Sequence, residues 1–183
     1  MPTLRCTQKL LKAIGNQSVH PIEHSRPSLL GDWYVNLLVI ARQNALLFTN
    51  EATLYSFAVL GVRKAMLPNL ISILMEHLKQ NLSYENVPPY VIDRLVVEYR
   101  DLRLAETANR SVLGSMNDLA DMLEHYVQDA GGSRACDVRQ VNQQLNQSPH
   151  KPLGWKSAID VLHERLLGAV AIPGRPQRRV FVN

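Results

Sequence analysis

The stretch Trp33-Tyr34-Val35-Asn36-Leu37-Leu38-Val39-Ile40-Ala41 constrains the fold most, because apolar residues fill both of its alternating sets. Successive side chains of a strand point to opposite faces, so a half-exposed strand would alternate apolar with polar residues. This one predicts a strand buried on two faces. Arg42-Gln43-Asn44 is expected to make the turn, Asn44 tolerating the left-handed conformation, and Ala45 to Thr49 to return as the partner strand. Such a hairpin belongs at the centre of a sheet, where each face is covered.

The flanking pattern supplies the cover. Thr3 to Cys6 reads as a strand, and Leu10, Leu11 and Ile14 then fall at helical spacing before Gly15. Asn16 to Leu29 has no period and reads as a loop. Leu54 to Leu60 fits a third strand better than the first turn of a helix. Between Val62 and Leu82, Met66, Leu67, Leu70, Ile71, Leu74, Met75 and Leu78 form one wide helical stripe, with Pro68 placing the regular part near Leu67. Pro89 to Arg100 repeats the pattern. Arg103 to Leu113 loses it and is expected as a strand, after which Leu119, Met122, Leu123, Tyr126 and Val127 restore a helix that Gly131-Gly132 stops. Asp137 to Asn146 is a short polar helix, Ser148 to Pro152 a loop, and Gly154 to Leu167 a last helix.

Early strands followed mostly by helices predict an α+β fold: a small antiparallel sheet built around a central hairpin and covered by amphipathic helices. With 183 residues, 46% of them hydrophobic, one core is the economical solution, so residues 1–171 are expected to form a single domain. Residues 172–183 carry Arg175, Arg178 and Arg179 among Pro and Gly and read as a basic, mobile tail.

Several function classes lose support at this stage. No run of about 18 apolar residues suggests a membrane span, and the first residues lack the apolar core of a signal peptide, so a cytoplasmic protein is expected. Cys6 and Cys136 have no zinc-type spacing, and the helically spaced His20 and His24 flank Pro21 without a carboxylate companion. No metal is expected. Neither GxGxxG nor GxxxxGK[ST] occurs, and no cofactor is expected. The net charge of +4 is modest for a surface dominated by phosphate contacts.

The densest cluster of directed polar groups is Thr107-Ala108-Asn109-Arg110-Ser111-Val112-Leu113-Gly114-Ser115-Met116-Asn117-Asp118. Together with LRCTQKLL near the start, LGDWYVNLL at Leu30 to Leu38 and TNEATL at Thr49 to Leu54, it resembles an uncharacterised bacterial domain family. That resemblance covers nearly the whole chain and implies a common fold, with no activity or catalytic residue to carry over.

Ser115 to Asp118 has the S-x-x-D form of a capping box, so Ser115 is expected to cap the helix that follows. Free amides there, with Arg110, Ser111 and Asn117 alongside, are candidates for binding a phosphate or carboxylate. Arg110 sits in a mostly uncharged segment and is expected to be partly buried, pairing with Asp32, Glu51 or Glu106. The sequence thus favours a non-catalytic binding or interaction module that contacts nucleic acid or a partner protein through a basic edge including Arg175, Arg178 and Arg179. The competing reading is an enzyme for a phosphate- or carboxylate-bearing small molecule, with Arg110 as anion clamp, the Ser115 to Asn117 amides as donors, and His150 or Asp32 as acid/base.

Overall fold

The computed structural model describes residues 2–15 and 28–168. His20, His24, most of the expected loop, and the tail with Arg175, Arg178 and Arg179 lie outside the described residues. Strand β1 (Thr3–Cys6) leads into α1 (Gln8–Ala13), then β2 (Trp33–Ile40), β3 (Gln43–Asn50) and β4 (Ser56–Leu60). A 3₁₀ turn, Lys64–Asn69, opens α2 (Leu70–Tyr84), and α3 (Pro89–Glu98) follows. The chain continues with β5 (Arg103–Glu106), α4 (Arg110–Asp129) and α5 (Val138–Gln147). A small pair, β6 (Pro149–His150) and β7 (Lys156–Ser157), precedes α6 (Ala158–Gly168).

The main sheet has the order β4-β3-β2-β1-β5, so β2 is its middle strand and the hairpin is central. The fold is α+β. The sheet is mixed, however, where the sequence led us to expect an antiparallel one: β2, β3 and β4 form an antiparallel meander, while β1 pairs in parallel with both β2 and β5. The cause is connection length. Tight turns reverse the chain between neighbouring strands, whereas the segment containing α1 returns it to the same end of the sheet and makes β2 parallel to β1.

The two apolar sets of β2 are both used. Trp33, Val35 and Leu37 face a large core with Leu46, Phe48, Phe57 and Val59 of β3 and β4, covered by α1, α2, α3 and α6. Ile40, Ala45, Leu47 and Ala58 face the opposite way, under Leu119, Leu123 and Val127 of α4 and Val141 and Leu145 of α5. Along β2 the hairpin end is the open part, with Val39 58% exposed. Trp33 is a core anchor: its Nε1 donates to the Tyr99 hydroxyl at 3.0 Å, which donates to the Gly31 carbonyl at 2.9 Å.

The hairpin turn is Ala41-Arg42, both left-handed at φ 48° and 65°, because the register pairs Ile40 with Gln43. Gln43 and Asn44 are strand residues, against expectation. Two non-glycine left-handed residues cost about 1–2 kcal/mol each. The observed register offsets that by placing Phe48 in the large core, its ring 5.1 Å from Phe57, which in turn lies 5.6 Å from Trp33. Burying a phenylalanine contributes about 1.5–3 kcal/mol, and packed ring pairs add to it.

Candidate functional site

The polar segment singled out in the sequence is a helix start, placed earlier than the capping-box pattern suggests. β5 ends at Glu106 and α4 begins at Arg110, so Arg103 to Leu113 is a strand only in its first part. Asn109 is the N-cap: its Oδ1 accepts from Ser111 N at 3.0 Å and Val112 N at 3.4 Å. Its Nδ2 donates to Glu51 Oε1 at 3.1 Å, and its backbone N–H donates to the Tyr34 hydroxyl at 3.2 Å. Ser115 is buried inside the helix and caps nothing, a correction that follows from packing. Val112 and Met116 close over Tyr34, extending the helical stripe of Leu119 and Leu123 two turns towards the N-terminus. The readable signal was Asn109 followed by Val112 and Met116, obscured by Gly114 within the helix.

Arg110 is exposed, where a partly buried ion pair was expected. The buried guanidinium belongs to Arg5. Its Nε lies 2.7 Å from Asp32 Oδ2, and its Nη1 donates to the Glu106 carbonyl at 3.0 Å. Asp32 Oδ1 accepts from Thr3 N at 2.9 Å, and the Tyr34 ring lies 6.0 Å from the guanidinium carbon. Asp32, Glu51 and the Glu106 backbone thus serve Arg5 and Asn109, with Tyr34 between them.

Arg110, Ser111 and Asn117 are exposed on α4, and Ser115 faces inward. Arg110 and Asn117 share a face but stand two turns apart, about 10 Å along the axis. The Ser115 to Asn117 amides lie in the body of α4, where N–H groups bond four residues back. His150 sits on β6 of the separate two-stranded sheet; burial pushes its imidazole below its ordinary range while Asp118 pulls the other way. Cys6 and Cys136 are free thiols, and burial pushes Cys6 up to about 12, far from thiolate reactivity. Among the described residues no three His, Cys, Asp or Glu side chains gather as a metal site, and no helix is long and apolar enough to cross a membrane.

A second polar constellation, which the sequence did not indicate, lies along the outer edge of β4. The Asn50 N–H to Tyr55 carbonyl bond of 2.9 Å fixes the ladder parity, so residues 56, 58 and 60 turn their backbone groups outward. Asn146 of α5 takes the first of them at both ends: Oδ1 accepts from Ser56 N at 2.7 Å, and Nδ2 donates to Ser56 O at 2.7 Å. Asn142 Oδ1 accepts from Ala58 N at 2.8 Å. Its Nδ2 goes to Asn81 Oδ1 at 3.2 Å, and Asn81 Nδ2 bonds the His77 carbonyl at 2.8 Å.

Beyond Asn142 the edge opens into a cavity of about 220 Å³ between β4, α2 and α5. Ala58, Val59 and Leu60 form one wall; His77, Gln80 and Tyr84 form another. Val138 and Arg139 complete it, the Arg139 guanidinium lying 4.2 Å from the centre of the Tyr84 ring. Burial pushes the His77 imidazole down, against a smaller pull from Glu76, so the ring is neutral near pH 7. Among the described residues, the Leu60 N–H, the Leu60 carbonyl and the Ala58 carbonyl have no hydrogen-bond partner.

These features define an α+β protein with a sheet covered on both faces and a groove at one sheet edge that mixes apolar walls with polar groups. Residues 3–161 match the family described as Domain of unknown function (DUF6933), and the chain belongs to that family. Comparison with curated proteins and with solved structures finds no match.

Proposed function

We propose that this chain is a non-catalytic binding module of the bacterial cytoplasm whose ligand seat is the groove at the β4 edge. The carrying observation is the set of outward backbone groups at Leu60 and Ala58 beside a concave, mainly apolar space rimmed by His77, Gln80 and Arg139. Directed, unspent hydrogen-bonding groups in a concavity are what orient a ligand. By contrast, Asp32 is engaged by Arg5 and Thr3, and the first amides of α4 are engaged by Asn109. The two free thiols fit a reducing compartment.

The test is amide-resolved NMR of the full chain against a panel of neutral, acidic and basic fragments and short peptides. The binding reading expects shifts concentrated on Leu60, His77, Gln80 and Arg139. Shifts confined to Arg110, Ser111 and Asn117 on adding phosphate or small carboxylates would favour the anion-handling enzyme instead. Contact with nucleic acid through Arg175, Arg178 and Arg179 would appear as binding that weakens steeply with salt and is lost in a chain ending at Ile172.

A further inference from the structure

The geometry of α5 against β4 points to the chemistry of the ligand. A helix advances about 6.0 Å over four residues, and a strand advances about 6.8 Å over two. Residues spaced i, i+4 on α5 therefore keep nearly in step with alternate residues on β4. Asn146 meets Ser56 and Asn142 meets Ala58, running antiparallel. The next step along each element is Val138 and Leu60, and both line the groove. Valine can offer nothing to a backbone N–H and C=O pair.

Leu60 thus presents the same donor and acceptor that Ser56 presents, without the carboxamide that Ser56 receives from Asn146. We propose that the groove binds a primary carboxamide, which takes the Leu60 N–H and C=O as Asn146 takes those of Ser56. A longer peptide strand cannot run on along the edge, since α5 occupies it at Ala58 and Ser56. One compact amide fits, carried by a small molecule or by an asparagine or glutamine side chain of another protein. Its N–H₂ and carbonyl would answer the edge pair while the remainder of the molecule lies between His77, Gln80 and Arg139. The inference rests on the groove being the binding site.

The experiment titrates the labelled full chain with matched amide and acid probes. Nicotinamide and nicotinate form one pair. Capped tripeptides with central glutamine or glutamate, both ending in N-methylamides, form the other. The Leu60 amide should shift with the amides, which should bind about tenfold more tightly than the acids, since a carboxylate can accept from the Leu60 N–H but has no donor for the Leu60 carbonyl. The stronger of the two amides identifies the source as free molecule or protein side chain. Acids that bind equally well or better would overturn the carboxamide assignment and leave the groove as an Arg139-directed site. No shift in any groove residue with any probe would overturn both. V138N places a third asparagine in step with Leu60 and should lower amide affinity about tenfold by occupying the pair from within. Undiminished affinity in the folded variant would refute the proposal. If V138N does not fold, the amide and acid comparison on the unaltered protein decides alone.

Discussion

Removing the Asp32 carboxylate should be among the most damaging single changes available in this fold. Both side chains of the Arg5–Asp32 pair are 9% exposed, so neither charge is well hydrated. Asp32→Ala would leave the guanidinium with the Glu106 carbonyl at 3.0 Å and a distant Tyr34 ring, and would orphan the Thr3 N–H. Breaking one side of a buried pair costs about 3–5 kcal/mol, most of it from the stranded charge. A folded domain has about 5–15 kcal/mol in total, so the variant should melt on the order of 10 °C lower. Urea titration followed by circular dichroism measures the cost, with an unchanged slope showing that the loss is one of stability. The double variant Arg5→Met with Asp32→Leu removes both charges and should recover most of it. A cost below about 1 kcal/mol for Asp32→Ala would place the pair with solvated surface bridges and refute the argument from burial.

Three further outcomes follow from named contacts. Asn109→Ala should cost about 1 kcal/mol by removing the α4 cap, and Ser115→Ala distinctly less, as read from paired denaturant midpoints; the reverse order would put the cap at Ser115. Asn146→Leu should cost on the order of 2–4 kcal/mol, because Ser56 N and Ser56 O are left unpaired beside a buried helix, and hydrogen exchange at Ser56 should accelerate; a protected Ser56 amide would contradict it. Stability should fall as pH drops below the ordinary imidazole value of about 6.5, because His77 and His150 hold lowered values when folded and the unfolded chain binds protons first. Glu85, raised mainly by burial, contributes the opposite slope above the ordinary carboxylate range, so His77→Gln with His150→Gln should remove or invert the acid slope of the urea midpoint; an unchanged slope would show the histidines are not its source.

What could be read from the sequence was set by periodicity. The two apolar sets of Trp33 to Ile40 announced a central strand with two covered faces, and α2, α3 and the body of α4 announced themselves by their stripes. Contacts between distant residues were not legible. Asp32 is one of three carboxylates the sequence offers to a buried arginine, there Arg110, whereas Arg5, 27 residues away, reads as one polar member of a short strand. The turn at Ala41-Arg42 violates local preference for the sake of Phe48, an influence no local window contains. The mixed sheet likewise depends on how the connections return, which apolar patterning does not record.

The helix that gave the weakest apolar signal is the one that shapes the groove. An exposed sheet edge is a template for pairing with other chains, and proteins blunt it with charges, bulges or cover. Here α5 covers β4 by substituting side-chain amides for a strand's backbone, which requires asparagines at buried helical positions where apolar residues would be expected. Asn142 and Asn146 therefore weakened the stripe that would have revealed the helix as a core element. The same device explains why the groove begins where it does: asparagine at one more helical step would have sealed Leu60, and valine stands there. Edge protection on β4 is complete at Ser56, half made at Ala58, where Asn142 takes the N–H and turns its other end to Asn81, and absent at Leu60 among the described residues. Since a fully covered edge would have been the safer design against aggregation, the opening is the position where the fold departs from the logic of its own cover, and departures of that kind are where function is to be sought.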